Sequence, residues 1–289
     1  MATLIAHGLP AASPPRRQAQ AAPAPTSKPA ERPRLGLGTP HRHGWLIGPA
    51  LVIAYWTAGS ATDFIDPRVF PAPWDVIKTA AQLWQQGRLQ SDIAISILRM
   101  AEGTVLGVAL GVFLALISGL SLLGGYIFDG IIQIKRALPV VALIPFFILW
   151  FGIGEVMKVT VIALVAFLPV YVQVHDALRS IDLRYVELAE TLRLNQTRFL
   201  RHIVLPAALP GILMGLRYGV LGALLGLVVV EEVNSTNGIG HMVDLARTYA
   251  QTDVMMVGLV LYALLGVGSD RLVRQLQRRL LGWRRTLGQ

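Results

Sequence analysis

Residues 184–230 read RYVELAETLRLNQTRFLRHIVLPAALPGILMGLRYGVLGALLGLVVV, and the abrupt change of character inside that stretch decides the fold class. From 209 to 230 the only charged side chain is Arg217. At about 1.5 Å per residue a helix of this length crosses a hydrocarbon layer of ~30 Å. The residues before it are the opposite: charged, amphipathic and short in period. A membrane span abutting a structured polar loop predicts a chain that crosses a bilayer more than once.

Five further apolar stretches fit that reading, at 44–60, 105–123, 139–153, 156–174 and 254–267, the last extending through Ser269. Trp45 and Trp56 near the ends of the first suit the membrane interfaces, and Pro139 opens the third as proline can open a helix. Composition agrees: 54% of the 289 residues are hydrophobic and 15% charged, against about 25% charged in soluble domains. The expected fold is therefore all-α, a polytopic bundle of about six transmembrane helices. Between the first two spans, Pro73-Trp74-Asp75 reads as a helix start, and Val76, Ala80, Leu83 and Trp84 follow at helical spacing. That helix is expected to lie along the membrane surface. A second helical pattern at Ile93 to Leu98 leads into the next span. No repeat of 20–50 residues stands out, which argues against a solenoid.

Placement of positive charge sets the orientation. With the N-terminus in the cytoplasm, the tail, the 124–138 loop, the 175–208 loop and the C-terminus together hold 19 of the 26 Lys and Arg residues. The reverse orientation would put that excess outside. The net charge of +9 is thus read as a membrane signal, with no nucleic-acid partner. Residues 1–44 are Pro- and Ala-rich, carry Arg16, Arg17, Lys28, Arg32, Arg34 and Arg42, and lack helical periodicity. They are expected to form a disordered basic cytoplasmic tail ahead of a permease domain at 45–289, with no signal peptide. With no Cys, disulfides and thiolate chemistry are excluded.

The loop itself reads as two short helices around a break. Leu188 and Leu192 share a face, and Glu187 and Glu190 lie where a helix N-terminus favours acid. Asn195 is the expected N-cap of a second helix running through Phe199, Leu200 and Ile203, with Pro206 and Pro210 marking the start of the next span. Such a pair can dock on a soluble partner or be an ordinary structured loop.

The spacing within it resembles the EAA loop of binding-protein-dependent ABC importer permeases: Glu-Ala-Ala, three residues, Gly, nine residues, Ile, one residue, Leu-Pro. Here Glu187-Leu188-Ala189, Arg193, Ile203 and Leu205-Pro206 keep every interval. Residues 70–74 (FPAPW), 136–139 (RALP), 148–155 (ILWFGIGE), 238–240 (GIG), 251–254 (QTDV) and 261–266 (LYALLG) are similar to the aliphatic-sulfonate, taurine and nitrate branch. The resemblance covers about residues 45–285. It implies a MetI-like type I permease fold in the bacterial inner membrane, with both termini cytoplasmic. It also implies a homodimer served by two ATPase subunits and a periplasmic solute-binding protein. The first loop helix would be the coupling helix, so Glu187, Leu188, Ala189, Glu190, Leu192, Arg193, Asn195, Leu205 and Pro206 would form the ATPase contact. The solute would be a small anion, alkanesulfonate or taurine first and nitrate next. Two residues depart from the pattern. Leu188 replaces a small Ala, and Arg193 replaces the Gly between the helices. Arg193 either keeps a left-handed backbone at about 1–2 kcal/mol or continues the helix and pairs with Glu190.

None of Lys28, Lys78, Lys135 and Lys158 follows a Gly, so a P-loop is absent and ATP with its Mg²⁺ would be bound by the partner. No Gly-x-Ser-x-Gly elbow occurs, and the His residues lack metal-motif spacing, which points to a non-catalytic subunit without a cofactor. Arg217, about 12 Å into its span, either faces a solute pathway or snorkels to the interface. Glu231 and Glu232 end that span. Two adjacent carboxylates would repel an anion, so a gate or helix-orienting role fits better than solute contact. Tyr262, Met255 and Met256 either line the pathway or pack against helices. A secondary transporter, a membrane enzyme and a non-transporting scaffold are the rival classes. The first is disfavoured because no acid falls at the centre of a strong span.

Overall fold

The computed structural model describes residues 44–62 and 64–282; the expected basic tail lies outside the described residues. Among these residues all regular structure is helical. After a 3₁₀ turn at Gly44–Leu46 come α1 (Ile47–Ala61), α2 (Pro73–Gln85), α3 (Arg88–Leu120), α4 (Leu122–Ala137), α5 (Val140–Phe151) and α6 (Glu155–Arg179). Two short helices follow, α7 (Leu183–Thr191) and α8 (Gln196–Phe199), then a π-helical segment (Leu200–Val204), α9 (Leu205–Asn234), α10 (Ile239–Thr248) and α11 (Thr252–Leu280).

The six expected spans resolve into three kinds of element. The helices 88–120, 155–179, 197–233 and 252–280 are each long and apolar enough to cross a membrane. The helical pattern expected at 93–98 is the first part of one of them. The 15-residue α1 is apolar but shorter than a full crossing.

The remaining expected span is a bent pair, with α4 and α5 meeting at 105°. The expected 124–138 loop is therefore a helix, which corrects the sequence reading. Its apolar positions were masked by Asp129, Lys135 and Arg136, which broke the run. The bend has a local cause: Leu138 precedes Pro139 and is extended, as a residue before proline prefers to be. Lys135 Nζ donates to the carbonyl of Leu164, well inside α6, at 2.9 Å. Lys135 is thus packed along the bundle rather than free in a loop.

α6 is the central helix, packed between α3 and α9. Small residues let the backbones approach. A Cβ on Gly107 would lie 2.5 Å from the Ala163 carbonyl oxygen, and one on Gly211 would lie 2.2 Å from Ala177 Cβ. Glycines at 103, 107 and 111 on α3, and at 211, 215 and 219 on α9, repeat at four-residue spacing and so share one face of each helix.

α2 and α10 cover one end of the bundle. Pro73 at its start and Asp75 in its first turn favour the start of α2. Thr79 then hydrogen-bonds Asp253 at the head of α11, at 2.7 Å. Trp56 of α1 donates to the Pro71 carbonyl at 3.1 Å and meets Phe70 edge-on. The α7–α8 hairpin leaves from the other end.

Candidate functional site

The hairpin is built from a helix of nine residues, a left-handed turn and a second helix that does not stop. Arg193 has φ of +47°, so of the two alternatives open in the sequence the left-handed backbone is the one adopted. The Leu194 amide reaches back to the Ala189 carbonyl at 2.9 Å, the closure of a Schellman-type cap. This is the position where the related pattern has glycine, and Arg carries the strain of a Cβ there. Arg193→Gly is therefore expected to stabilise the hairpin by about 1 kcal/mol. Amide exchange across residues 188–196 should slow by roughly fivefold; unchanged exchange would show that the turn is unstrained.

Beyond the turn, no helix boundary separates the expected second helix from the span that Pro206 and Pro210 were expected to open. Residues 197–233 run as one continuous span, which corrects the expectation of a separate second helix. The π-helical segment explains how. Proline has no N–H, so Pro206 would orphan a carbonyl in an α-ladder. The segment moves the pairing by one residue, with the Leu205 amide on the Leu200 carbonyl. Asn195 accepts from the Phe199 amide through its backbone carbonyl, at 2.9 Å. On α7, Ala189 is buried, whereas Tyr185, Glu187 and Leu188 are exposed, as is Leu192 just past its end. Tyr185, Leu188 and Leu192 fall at i, i+3 and i+7, an apolar stripe turned away from the protein's own core. Leu205 is half-buried and Pro206 exposed; the Glu190 side chain lies outside what is described.

At the other end of α9 is a buried ionic cluster that the sequence reading met only in pieces. Glu231 is fully buried. It accepts from Ser96 Oγ at 2.8 and 2.9 Å, Arg99 Nη1 at 2.8 Å, the Gly240 amide at 2.9 Å and the Tyr262 hydroxyl at 3.4 Å. Arg99, 2% exposed, also makes a bidentate pair with Glu155, both contacts at 2.6 Å. Its remaining donors reach Ser235 Oγ and both oxygens of Asn237. Lys158 Nζ joins Glu155 at 3.0 Å. Two cations thus face two carboxylates, and one guanidinium ties α3, the head of α6, the end of α9 and the loop into α10. Gly238 closes the arrangement with φ of +106°, donating its amide to Asp92 at 2.9 Å. A Cβ there would meet Glu231 Oε1 at 2.4 Å, so the position requires glycine on both counts.

The structure therefore brings Glu231 and Tyr262 together in an interior cluster, while Glu232 is half-buried and accepts a hydrogen bond from none of its members. Arg99, Ser96 and Lys158 were missed as site residues. Each looks like an isolated polar residue in its own segment, and the only pointers were Glu155 and Gly238–Gly240 inside the quoted motifs. Arg217 lies in neither group. Its Nε bonds Asp270 Oδ1 at 2.7 Å, and Asp270 also holds Arg274 at 2.5 Å. Asp270 lies within the 29-residue α11, just past where the sequence reading ended that span. Among the described residues, Met256 packs against the core.

A family model described as "Binding-protein-dependent transport system inner membrane component" matches residues 107–282. The chain is 38% identical over 246 residues to the putative aliphatic sulfonates transport permease protein SsuC of Bacillus subtilis, covering 84% of this chain and 89% of that protein. It is 30% identical over 239 residues to the taurine transport system permease protein TauC of Escherichia coli, covering 81% and 87%. In fold it is similar to a chain of the crystal structure of an amino acid ABC transporter with histidines, at a TM-score of 0.59 and 17% identity, covering 69% of this chain and 97% of that one.

Proposed function

We propose, from the premise that this chain belongs to the family of binding-protein-dependent transport system inner membrane components, that it is the permease through which an ABC importer moves aliphatic sulfonates. It is a multi-pass membrane subunit of such an importer. Alkanesulfonate or taurine is the proposed solute class, supported by the sulfonate and taurine relatives; nitrate is the alternative. The chemistry of ATP is assigned to a separate ATPase subunit, and capture of the solute to a binding protein. Two copies of the chain form the pathway in a lipid bilayer.

The observation that carries this reading is the exposed stripe Tyr185, Leu188 and Leu192 on a short helix held out by a left-handed turn. A monomer gains nothing by exposing it; a partner's groove would cover it. We place this hairpin in the cytoplasm, because most Lys and Arg lie on that side even when Lys135 and Arg136 are left out of the count. Glu187, Leu188, Ala189, Glu190 and Leu192 then contact the ATPase, and Arg193 and Asn195 shape the turn. Leu205 and Pro206 pass displacement into α9. Residues 197–233 form one lever about 55 Å long. Its far end is fastened by Glu231 to α3, α10 and α11, and through Arg99 to Glu155 of α6, so movement of the hairpin loads the ionic cluster directly. In this reading Arg99, Glu155, Glu231 and Tyr262 are the latch of the outer gate, and Arg217 fastens α9 to α11 beside the pathway.

Reconstitution tests the reading. In proteoliposomes holding the chain with an ATPase subunit and a sulfonate-binding protein from the same bacterium, alkanesulfonate uptake should require ATP. Uptake driven by an ion gradient through the chain alone would overturn it.

A further inference from the structure

α4 and α6 carry matching polar edges that neither the hairpin nor the latch uses. On α4, Asp129 and Arg136 are seven residues apart and so share a face; on α6, Tyr171, His175 and Arg179 follow at four-residue steps. Between the two helices lies a cavity of about 250 Å³ lined by these five residues and Asp176. Ionisable groups on helices that cross a membrane face water or polar partners rather than lipid.

The wall is only partly satisfied from within. The Tyr171 hydroxyl donates to Ser118 Oγ at 2.8 Å and to Asp129 Oδ1 at 3.2 Å. His175 is 8% exposed, and its ring stacks on Tyr171 with centroids 5.5 Å apart. Its Nε2 lies 3.7 Å from Asp129 Oδ1, too far for a hydrogen bond, and is a buried nitrogen with no hydrogen-bond partner among the described residues. Arg136 and Arg179 form no ion pair among the described residues. The cavity therefore presents two guanidinium groups and an orphaned imidazole nitrogen alongside two carboxylates.

We infer that this cavity is a binding subsite for a short zwitterion that carries an oxyanion at one end and a primary ammonium at the other. The guanidinium groups of Arg136 and Arg179, with His175, take the oxyanion through charge-assisted bonds. Asp129 and Asp176 take the ammonium. A plain anion would meet the same cations but also two repelling carboxylates. The inference deepens the importer reading and rests on it for the solute, since 2-aminoethanesulfonate is the sulfonate with this charge pattern. The ethanolamine headgroup of a phospholipid offers the same chemistry.

The test uses the full chain with its ATPase partner in phosphatidylcholine nanodiscs and radiolabelled 2-aminoethanesulfonate. Saturable binding is expected, weakened about tenfold by Arg136→Gln and by Asp129→Asn, with ethanesulfonate competing about tenfold less well. Should Arg136→Gln fail to assemble, Arg179→Gln at the exposed end of the cavity gives the same readout. If the sulfonate does not bind, but phosphatidylethanolamine stays with the wild-type protein through purification and is lost from Arg136→Gln, the zwitterion site stands with a lipid occupant. No zwitterion held from either source, or equal competition by ethanesulfonate, overturns the proposal. ATP-dependent alkanesulfonate uptake, measured in parallel, separates the two ideas: uptake without a zwitterion site defeats only the cavity, and its loss beside intact binding defeats the importer reading.

Discussion

Arg99→Met is expected to lower stability by about 3–5 kcal/mol, because it leaves Glu231 charged, fully buried and short of its cation. Methionine matches much of the apolar stem, so little of the loss comes from packing. Glu155 is affected less: it is more than half exposed and keeps Lys158 at 3.0 Å. The second change Glu231→Gln should recover part of the deficit, since the neutral amide no longer needs a counter-charge and can still bond Ser96. Thermal unfolding of detergent-solubilised protein, read by size-exclusion, checks this. The double variant is expected to lie about 2 kcal/mol above the sum of the single losses. Simple additivity would show that the two side chains do not act as one unit, and the latch would lose its basis.

Glu187→Arg carries the second large effect. The side chain is exposed on α7, so reversing its charge should leave insertion and folding intact. If α7 sits in a groove of the ATPase, the reversal should cost about 2–5 kcal/mol at that contact, and ATP-driven uptake should fall by about a hundredfold or more. Glu187→Gln, which removes charge without inverting it, should fall by only about tenfold. The measurement is uptake in proteoliposomes beside the basal ATP hydrolysis of the ATPase subunit, which should persist. Normal uptake by the Arg variant would move the coupling contact off this helix.

Legibility in the sequence followed the range of the interactions involved. The span at 156–174 could be read directly because its signal is local: an apolar run matched to a bilayer, with Lys158 its only charge, needs no knowledge of neighbours. The hairpin could be read because its intervals are short, and even the choice at Arg193 was narrowed to two backbones. The bent pair could not. Its α4 half has a polar edge, Asp129 to Arg136, which on a one-dimensional scale looks like a loop and in three dimensions faces the polar edge of α6. The run-on from α8 into α9 was hidden for a different reason. Pro206 is a stop signal in an α-ladder, and only a five-residue π-helical segment removes the conflict.

By itself, the amino-acid order determined that the chain is helical, that it crosses a membrane several times and that a charged hairpin interrupts it before the longest span. Those properties come from hydration and backbone hydrogen bonding, which act residue by residue along the chain. Tertiary structure alone decided which charges neutralise one another. Arg99 finds Glu231 across 132 positions and Arg217 finds Asp270 across 53. An ion pair depends on two side chains arriving within a few ångströms, and here that proximity comes from the packing of α3, α6, α9 and α11, not from the spacing of residues along the chain.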